Sequence, residues 1–424
     1  MTIDKNKIFL ILISIYPISI IIGPLVSLLN TLCLIAIYLF FSIKEGHFKF
    51  LYKDKTLKIF FVLYLYLIFN TFISLDYEIG LSRNLGFIRL IFLFIAINYF
   101  FYICKDNLRF FYIWTAIFSI FVFDVYFERF YGANIFGWGA EEVNGVFQPH
   151  GSRVMSFFKD EPIAGSFIYS FIFAISGFLF FLLKNKKKGF FLYIFLSIFF
   201  LLSVVVTGER SSTIKVIFAA FIFIGIIDII KPKTKLLILT ILIGSIILLV
   251  SNSIYLKNRY VGQFYYYVLE KDSKNIKTSL YYKLYRSGYN VFKNSPILGV
   301  GNKNYRIEAC GDYEKVLKYK YKCTTHPHQI YIEFLSEHGL LGTVILLSVF
   351  FSLIFKNIKK ILYSQNYIQI GCFVYLLSVF LPLIPSGSFF SDFNITFFFI
   401  NLSIMYAVNK NTNIFFVEKN IIKQ

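Results

Sequence analysis

The chain has 424 residues, 57% hydrophobic, 21% aromatic and only 16% charged, whereas soluble domains run at about 45–50% apolar and about 25% charged; a water-soluble reading is excluded. The formal charge of +20 comes with no Arg-rich arm, RNA-binding signature or zinc spacing. It points to the basic loops of a membrane protein and away from nucleic acid.

Continuously apolar runs begin near Ile8, Leu25, Ile59, Leu85, Phe110, Ala164, Phe190, Ile214, Leu236, Leu340, Ile368 and Ile395. Each is closed by Lys, Gly, Pro, Asn or Asp after about 20 residues, the length that crosses a bilayer. Runs without alternation exclude a barrel, because a lipid-exposed backbone must satisfy its hydrogen bonds within each segment. The expectation is an all-α, polytopic membrane helical bundle of about 12 transmembrane helices. Met1 to Lys7 and the first run have the outline of a signal peptide. With no small-residue cleavage site before the tight Gly23-Pro24 turn, they read as the first span.

With Lys5 and Lys7 in the cytoplasm, Lys44 to Lys58, Lys105 to Arg109, Lys184 to Lys188, Lys231 to Lys235, Lys356 to Lys360 and the tail after Asn409 fall on the same side, as the positive-inside rule requires. Three regions follow: N-terminal helices over 1–254 with an outer loop at 128–163, a large outer loop over 255–339, and C-terminal helices over 340–424. Loops this long in a compact membrane protein are usually functional. Cys310 and Cys323 share the large loop, 13 positions apart, as a disulfide of an oxidising compartment or as two free thiols. Cys33, Cys104 and Cys372 lie in or beside apolar runs and read as packing residues.

His150, His326, His328 and His338 fall in the outer segments or at their edge, so a site would face outward. There is no GxGxxG, Walker loop, HExxH or GxSxG. The most informative stretch runs from Thr324 through His326-Pro327-His328-Gln329 to Gly342. Pro327 suits a first helical turn, Thr325 or His326 a cap, and Gly339 a stop, giving a short helix at the membrane surface that feeds the next span. A histidine at that helix's mouth has the titration range of a base; on these residues alone the favoured reading is that His326 or His328 merely caps the helix.

Upstream stands Tyr285-Arg286-Ser287 through Phe292 and Pro296 to Gly299-Val300-Gly301. This "Arg…Phe-x-x-x-Pro-x-x-Gly-x-Gly" segment, followed by "Pro-His-Gln-x-Tyr-x-Glu-x-Leu-x-Glu-x-Gly-x-x-Gly", resembles the O-antigen ligase and polymerase family of bacterial envelope glycosyltransferases. Ser152-Arg153-Val154 through Asp160-Glu161-Pro162 to Gly165, and Thr207-Gly208-Glu209-Arg210-Ser211-Ser212, resemble its earlier blocks. Gln329 stands where the family has Asn, and Glu209 where it has a small residue, placing a carboxylate able to compete with a phosphate for Arg210.

The resemblance implies a GT-C-like bundle in the bacterial inner membrane that moves a glycan from an undecaprenyl-diphosphate-linked donor to a sugar hydroxyl in the periplasm, without nucleotide, metal or other cofactor. The acceptor is lipid A-core for a ligase or a lipid-linked glycan for a polymerase; related members glycosylate proteins. His328 takes the part of the base, Arg210 and Arg286 that of catalytic cations, and Arg153 that of a phosphate ligand, since guanidinium forks hold such charge bidentately. His326 is a backup or positioner. Arg83 and Arg89 extend the clamp, or Arg89 snorkels to the interface. Asp160 and Glu161 are functional carboxylates, a helix N-terminal pair, or partners of Arg153. The competing reading is a polysaccharide or lipid-linked oligosaccharide transporter or flippase, which convergence of Arg153, Arg210, Arg286 and His328 in one cavity would disfavour.

Overall fold

The computed structural model describes residues 4–46, 54–143, 146–149, 153–159, 161–185, 189–266, 277 and 279–416. His150, Ser152, Asp160 and Tyr267 lie outside the described residues. The helices are α1 (Lys5–Ser14), α2 (Tyr16–Ile22), α3 (Pro24–Glu45), α4 (Lys55–Phe72), α5 (Tyr77–Gly86), α6 (Ile88–Ile103), α7 (Arg109–Tyr131), α8 (Ala164–Asn185), α9 (Phe190–Val206), α10 (Arg210–Ile226), α11 (Pro232–Asn252) and α12 (Ile254–Lys257). After a π-turn at Asn258–Gly262 come α13 (Leu280–Asn294), α14 (Tyr305–Cys310), α15 (Tyr313–Tyr319), α16 (Ile330–Phe355), α17 (Ile358–Ser364), α18 (Tyr367–Val379) and α19 (Asp392–Ala407). The 128–163 segment adds an antiparallel hairpin, β1 (Ala140–Val143) with β2 (Val146–Pro149).

All twelve apolar runs are helical, but they differ in length. Among the described residues seven helices are long and apolar enough to cross a membrane, and α1 with α2, bent by 44°, makes an eighth. The remaining four runs form α9, α10, α18 and α19, of 13 to 17 residues, short of the roughly 20 that a straight crossing needs. The short α18 and α19 are buried along almost their whole length. They stop below the loop-bearing end, and the 380–391 connection between them fills the space.

Burial separates the centre from the rim. The α8 span is 83% buried and the α11 span 11%; with equally apolar sequences, only packing tells them apart. The α8–α18 contact is as close as backbones allow: a Cβ on Gly177 would run into the Tyr367 carbonyl, and one on Gly371 into that of Phe173. Small residues at such crossings are the usual way for helices to associate where lipid removes the hydrophobic drive.

Segments expected on one side meet at one end of the bundle. The Lys356 Nζ donates to Thr56 Oγ1 at 2.7 Å, Lys360 Nζ to the Asn411 carbonyl at 2.9 Å, and the Asp228 amide to Gln365 Oε1 at 3.1 Å. At the other end α13–α15 cover the bundle, and a Cys310–Cys323 disulfide closes the segment between α14 and Thr324.

The short helix at Ile330 does lead into a span, and Gly339 breaks it: α16 carries φ 64°, ψ −170° there. Its cap is neither Thr325 nor His326. Gln329 caps it, Oε1 accepting from the Ile332 amide at 2.9 Å, because Pro327 and a left-handed His328 (φ 56°) keep the chain out of the helix until residue 330. The first turns are buried rather than superficial, with Glu333, Phe334, Ser336, Glu337 and His338 inside. His338, expected near an outer edge, meets the Tyr66 hydroxyl through Nδ1 at 3.1 Å.

The Gly339 break frees backbone groups that hydrocarbon cannot satisfy, and the 295–301 turn takes them up. Val300 and Gly301 amides donate to the Ser336 and Glu337 carbonyls at 3.1 and 2.8 Å, and Leu340 and Leu341 amides donate to those of Pro296 and Ile297 at 2.8 and 3.2 Å. Gly299 (φ 74°) and Gly339 are required because a Cβ on either would strike the opposing backbone. The two late motif blocks are thus one structure.

Candidate active site

Four segments meet at the loop-bearing end. The 153–158 segment, which ends in a 3-10 turn at Ser156–Phe158, is pinned from below by α7: Glu128 accepts from the Met155 and Ser156 amides at 2.8 and 2.5 Å, and Asp124 from the Ser156 hydroxyl at 2.5 Å. From the side it is pinned by the α9–α10 elbow, the Val154 amide donating to the Thr207 carbonyl at 3.0 Å. This lattice brings Arg153 beside Arg210, the first residue of α10. The third segment is the π-turn, where Arg259 donates through Nε to the Gly208 carbonyl at 3.1 Å and through Nη1 to Gln263 Oε1 at 3.0 Å. The fourth is the 324–329 turn with His328, tied to the 380–391 connection by a Ser386 amide donating to the His328 carbonyl at 2.9 Å.

Between them lie two adjoining chambers. The smaller, about 180 Å³, is lined by Arg153, Arg210, Arg259, Lys215, Tyr281 and His328 among others. The larger, about 1100 Å³, shares Arg153 and His328 with it and adds Arg83, Arg89, Glu161, Lys303, Arg306 and His326. Its lip is apolar, from Ile20 through Gly23-Pro24 to Leu28. Seven of the eight expected site residues therefore line one chamber or both. Three non-glycine residues held at positive φ line these chambers: Lys159, Lys303 and His328. Such backbone persists only where its surroundings over-determine it, and it concentrates at functional sites.

The eighth is Arg286, which is exposed on α13 and lines neither chamber. Helical phase explains this. Leu284, Ser287, Gly288 and Val291 form the buried face, and Arg286 lies nearly opposite. Ser287 and Gly288 serve the interior instead, Ser287 Oγ accepting from the Lys322 amide at 2.8 Å and Gly288 lying against Pro327 and Ile332 where no Cβ fits.

Glu209 does not compete for Arg210. Its carboxylate accepts from the Gly165 amide at 2.6 Å, Ser166 Oγ at 2.8 Å and Ser212 Oγ at 3.0 Å, joining the start of α8 to that of α10. Burial pushes its carboxyl up, while these bonds and Arg153 oppose the shift. The carboxylate met by the α8 N-terminus is thus Glu209, and Glu161 is exposed in the larger chamber. Arg83 and Arg89 both pair with Asp392, Arg83 at 2.6 Å, so neither is a snorkelling side chain without a partner.

His326 and His328 lie ring against ring, centroids 4.0 Å apart. Burial pushes both imidazoles down to about 4; His326 adds to the shift of His328, and Lys303 and Arg306 to that of His326. Both are neutral near pH 7, and each can accept a proton. Arg259 is pushed down to about 10 by burial and by its neighbours Arg153 and Arg210, a crowding of like charge that an anion would relieve.

Lys159, Arg259, Lys215, Lys303 and Arg306 complete the cationic lining and carry no role in the sequence analysis. The available signal was arginine rather than lysine at a span end and after the glycine turn, at Arg259 and Arg306. Among the described residues no group of three or more His, Cys, Asp or Glu side chains is arranged to hold a metal.

No curated protein matches the chain. The family model described as O-antigen ligase matches residues 195–347, a range holding the α9–α10 elbow, Arg259, the glycine turn and His328; over that range the chain is similar to the O-antigen ligase family.

Proposed function

We propose that the chain is an inner-membrane glycosyltransferase that moves a glycan from an undecaprenyl-diphosphate carrier to a sugar hydroxyl on the periplasmic side, with inversion and without a metal. The observation that carries this reading is the gathering of Arg153, Arg210 and Arg259 around one small chamber with His328 on its wall. His328 takes the proton of the acceptor hydroxyl as its oxygen attacks the anomeric carbon. The bond from that carbon to the diphosphate breaks, and its electron pair leaves on the diphosphate, whose growing charge the guanidinium groups stabilise. The acceptor enters through the larger chamber, whose apolar lip suits a lipid anchor. His326 braces His328, and Arg83 and Arg89, held by Asp392, form the far cationic wall.

Complementation tests this. Expression in strains lacking either the polymerase or the ligase, read as lipopolysaccharide banding, should restore polymer in one of them and so separate the two acceptors. His328→Ala should not restore it; equal restoration by that variant would remove the base from the mechanism.

A further inference from the structure

The small chamber holds cations enough for a diphosphate, yet the cationic lining continues into the larger one. There Lys303, only 6% exposed, is held at φ 64° and donates to Ser388 Oγ, which in turn donates to the buried Glu333 at 2.6 Å. Beside it, Arg306 Nε and His326 Nε2 are buried without any hydrogen-bond partner. Lys303 and Arg306 both act on His326 electrostatically, so the three form one corner. Among the described residues the acids lining this chamber are Glu161 and Asp392, and Asp392 is already engaged by Arg83 and Arg89. The Lys303 charge is faced by the buried Glu333 and Glu337, so the open capacity of the corner lies in the unpartnered Arg306 guanidinium N–H and the unpartnered His326 Nε2. A guanidinium N–H without a partner describes a place for an anion.

We propose that this corner binds an anionic group carried on the acceptor saccharide, a carboxylate or phosphate ester, making the acceptor an acidic sugar chain. The proposal rests on reading the small chamber as the donor's diphosphate site. A lipid headgroup fits less well. The corner is built by the 303–306 and 326 segments, whereas the apolar lip is made by α2 and α3 with Arg89 near it. The chamber, about 1100 Å³, also exceeds the roughly 300–1,000 Å³ of ordinary single-ligand sites, leaving room for several linked sugars.

The test uses the full chain in neutral phosphatidylcholine nanodiscs, titrated with trigalacturonate, with the neutral maltotriose, with inorganic pyrophosphate and with a short-chain phosphatidic acid. Trigalacturonate should bind about tenfold more tightly than maltotriose, the scale of one charge-assisted hydrogen bond. Arg306→Gln should abolish that preference while keeping pyrophosphate affinity within about twofold, which also shows that the variant is folded. Lys303→Met gives a second readout of the same corner, and Arg210→Gln should show the reverse pattern. Equal binding of the two trisaccharides, or an unchanged preference in both corner variants, would overturn the proposal. So would Arg306-dependent binding of phosphatidic acid alone. Failure of the wild type to bind pyrophosphate counts against the donor reading instead, and leaves the trisaccharide comparison to be judged separately.

Discussion

The two chambers share a wall at Arg153 and His328 yet are built differently. The smaller is framed by helix starts and tight turns locked to one another: Glu128 under the 153–158 segment, Glu209 between α8 and α10, Arg259 on the Gly208 carbonyl. The larger opens between α2–α3 and the 380–391 connection, with a charged interior and an apolar lip. A rigid cationic seat suits chemistry at a fixed phosphate, and a roomier neighbour suits a partner that must arrive and leave. On the proposed function, catalytic power and acceptor choice are separable here, with Arg153 and His328 both on the shared wall.

The sharpest way to break this comparison is at the shared wall. His328→Ala should lower turnover by about 10²- to 10⁴-fold, the range for losing a general base, measured as polymer formed in isolated membranes. Arginine-to-lysine exchanges in the small chamber come next. Arg210→Lys or Arg259→Lys should each cost about 10- to 100-fold, because a point charge cannot replace a planar fork. Arg286→Lys, on the outward face of α13, should stay within about twofold of wild type in the same assay; a loss as large as that of Arg259→Lys would mean that α13 turns inward during the reaction.

The pH profile sharpens the contrast by a smaller effect. With the His328 imidazole pushed down to about 4, its base form persists as pH falls from 7 and is lost only as pH approaches that value. The acidic limb of kcat/KM, which reports free enzyme, should therefore lie near pH 4. A bound diphosphate favours the imidazolium and raises its pKa, so the acidic limb of kcat should lie at higher pH. Coincident limbs near 6.5 would show an imidazole that feels neither burial nor donor. Smallest of all for the chemistry is Gly371→Ala at the α8–α18 crossing. It should destabilise the protein by about 1–3 kcal/mol, seen as a lower Tm, while the folded fraction keeps its turnover.

Sequence reading went furthest where one physical rule dominates. Unbroken apolar runs can only be helices in lipid, so all twelve were found; their lengths were not, because α18 and α19 stop where the 380–391 connection takes over, and nothing in a run of Phe and Ile marks a crossing as short. The motif blocks were legible as residues but not as a structure. That Gly299 and Gly339 face each other across a broken helix depends on contacts between segments some 40 positions apart. Arg286 was misplaced because a motif gives spacing and not helical phase. Arg259 was overlooked because a lone arginine after a span looks like an interface anchor until the Gly208 carbonyl is beside it.

The position of a bound donor is the most direct measurement of how the two chambers divide the reaction. An experimental structure with an undecaprenyl-diphosphate ligand should show the diphosphate in the small chamber, within hydrogen-bond reach of Arg210 and Arg259, and its sugar end facing His328. A diphosphate seated instead on Arg306 in the larger chamber, or on Arg286 at the outer face of α13, would contradict it.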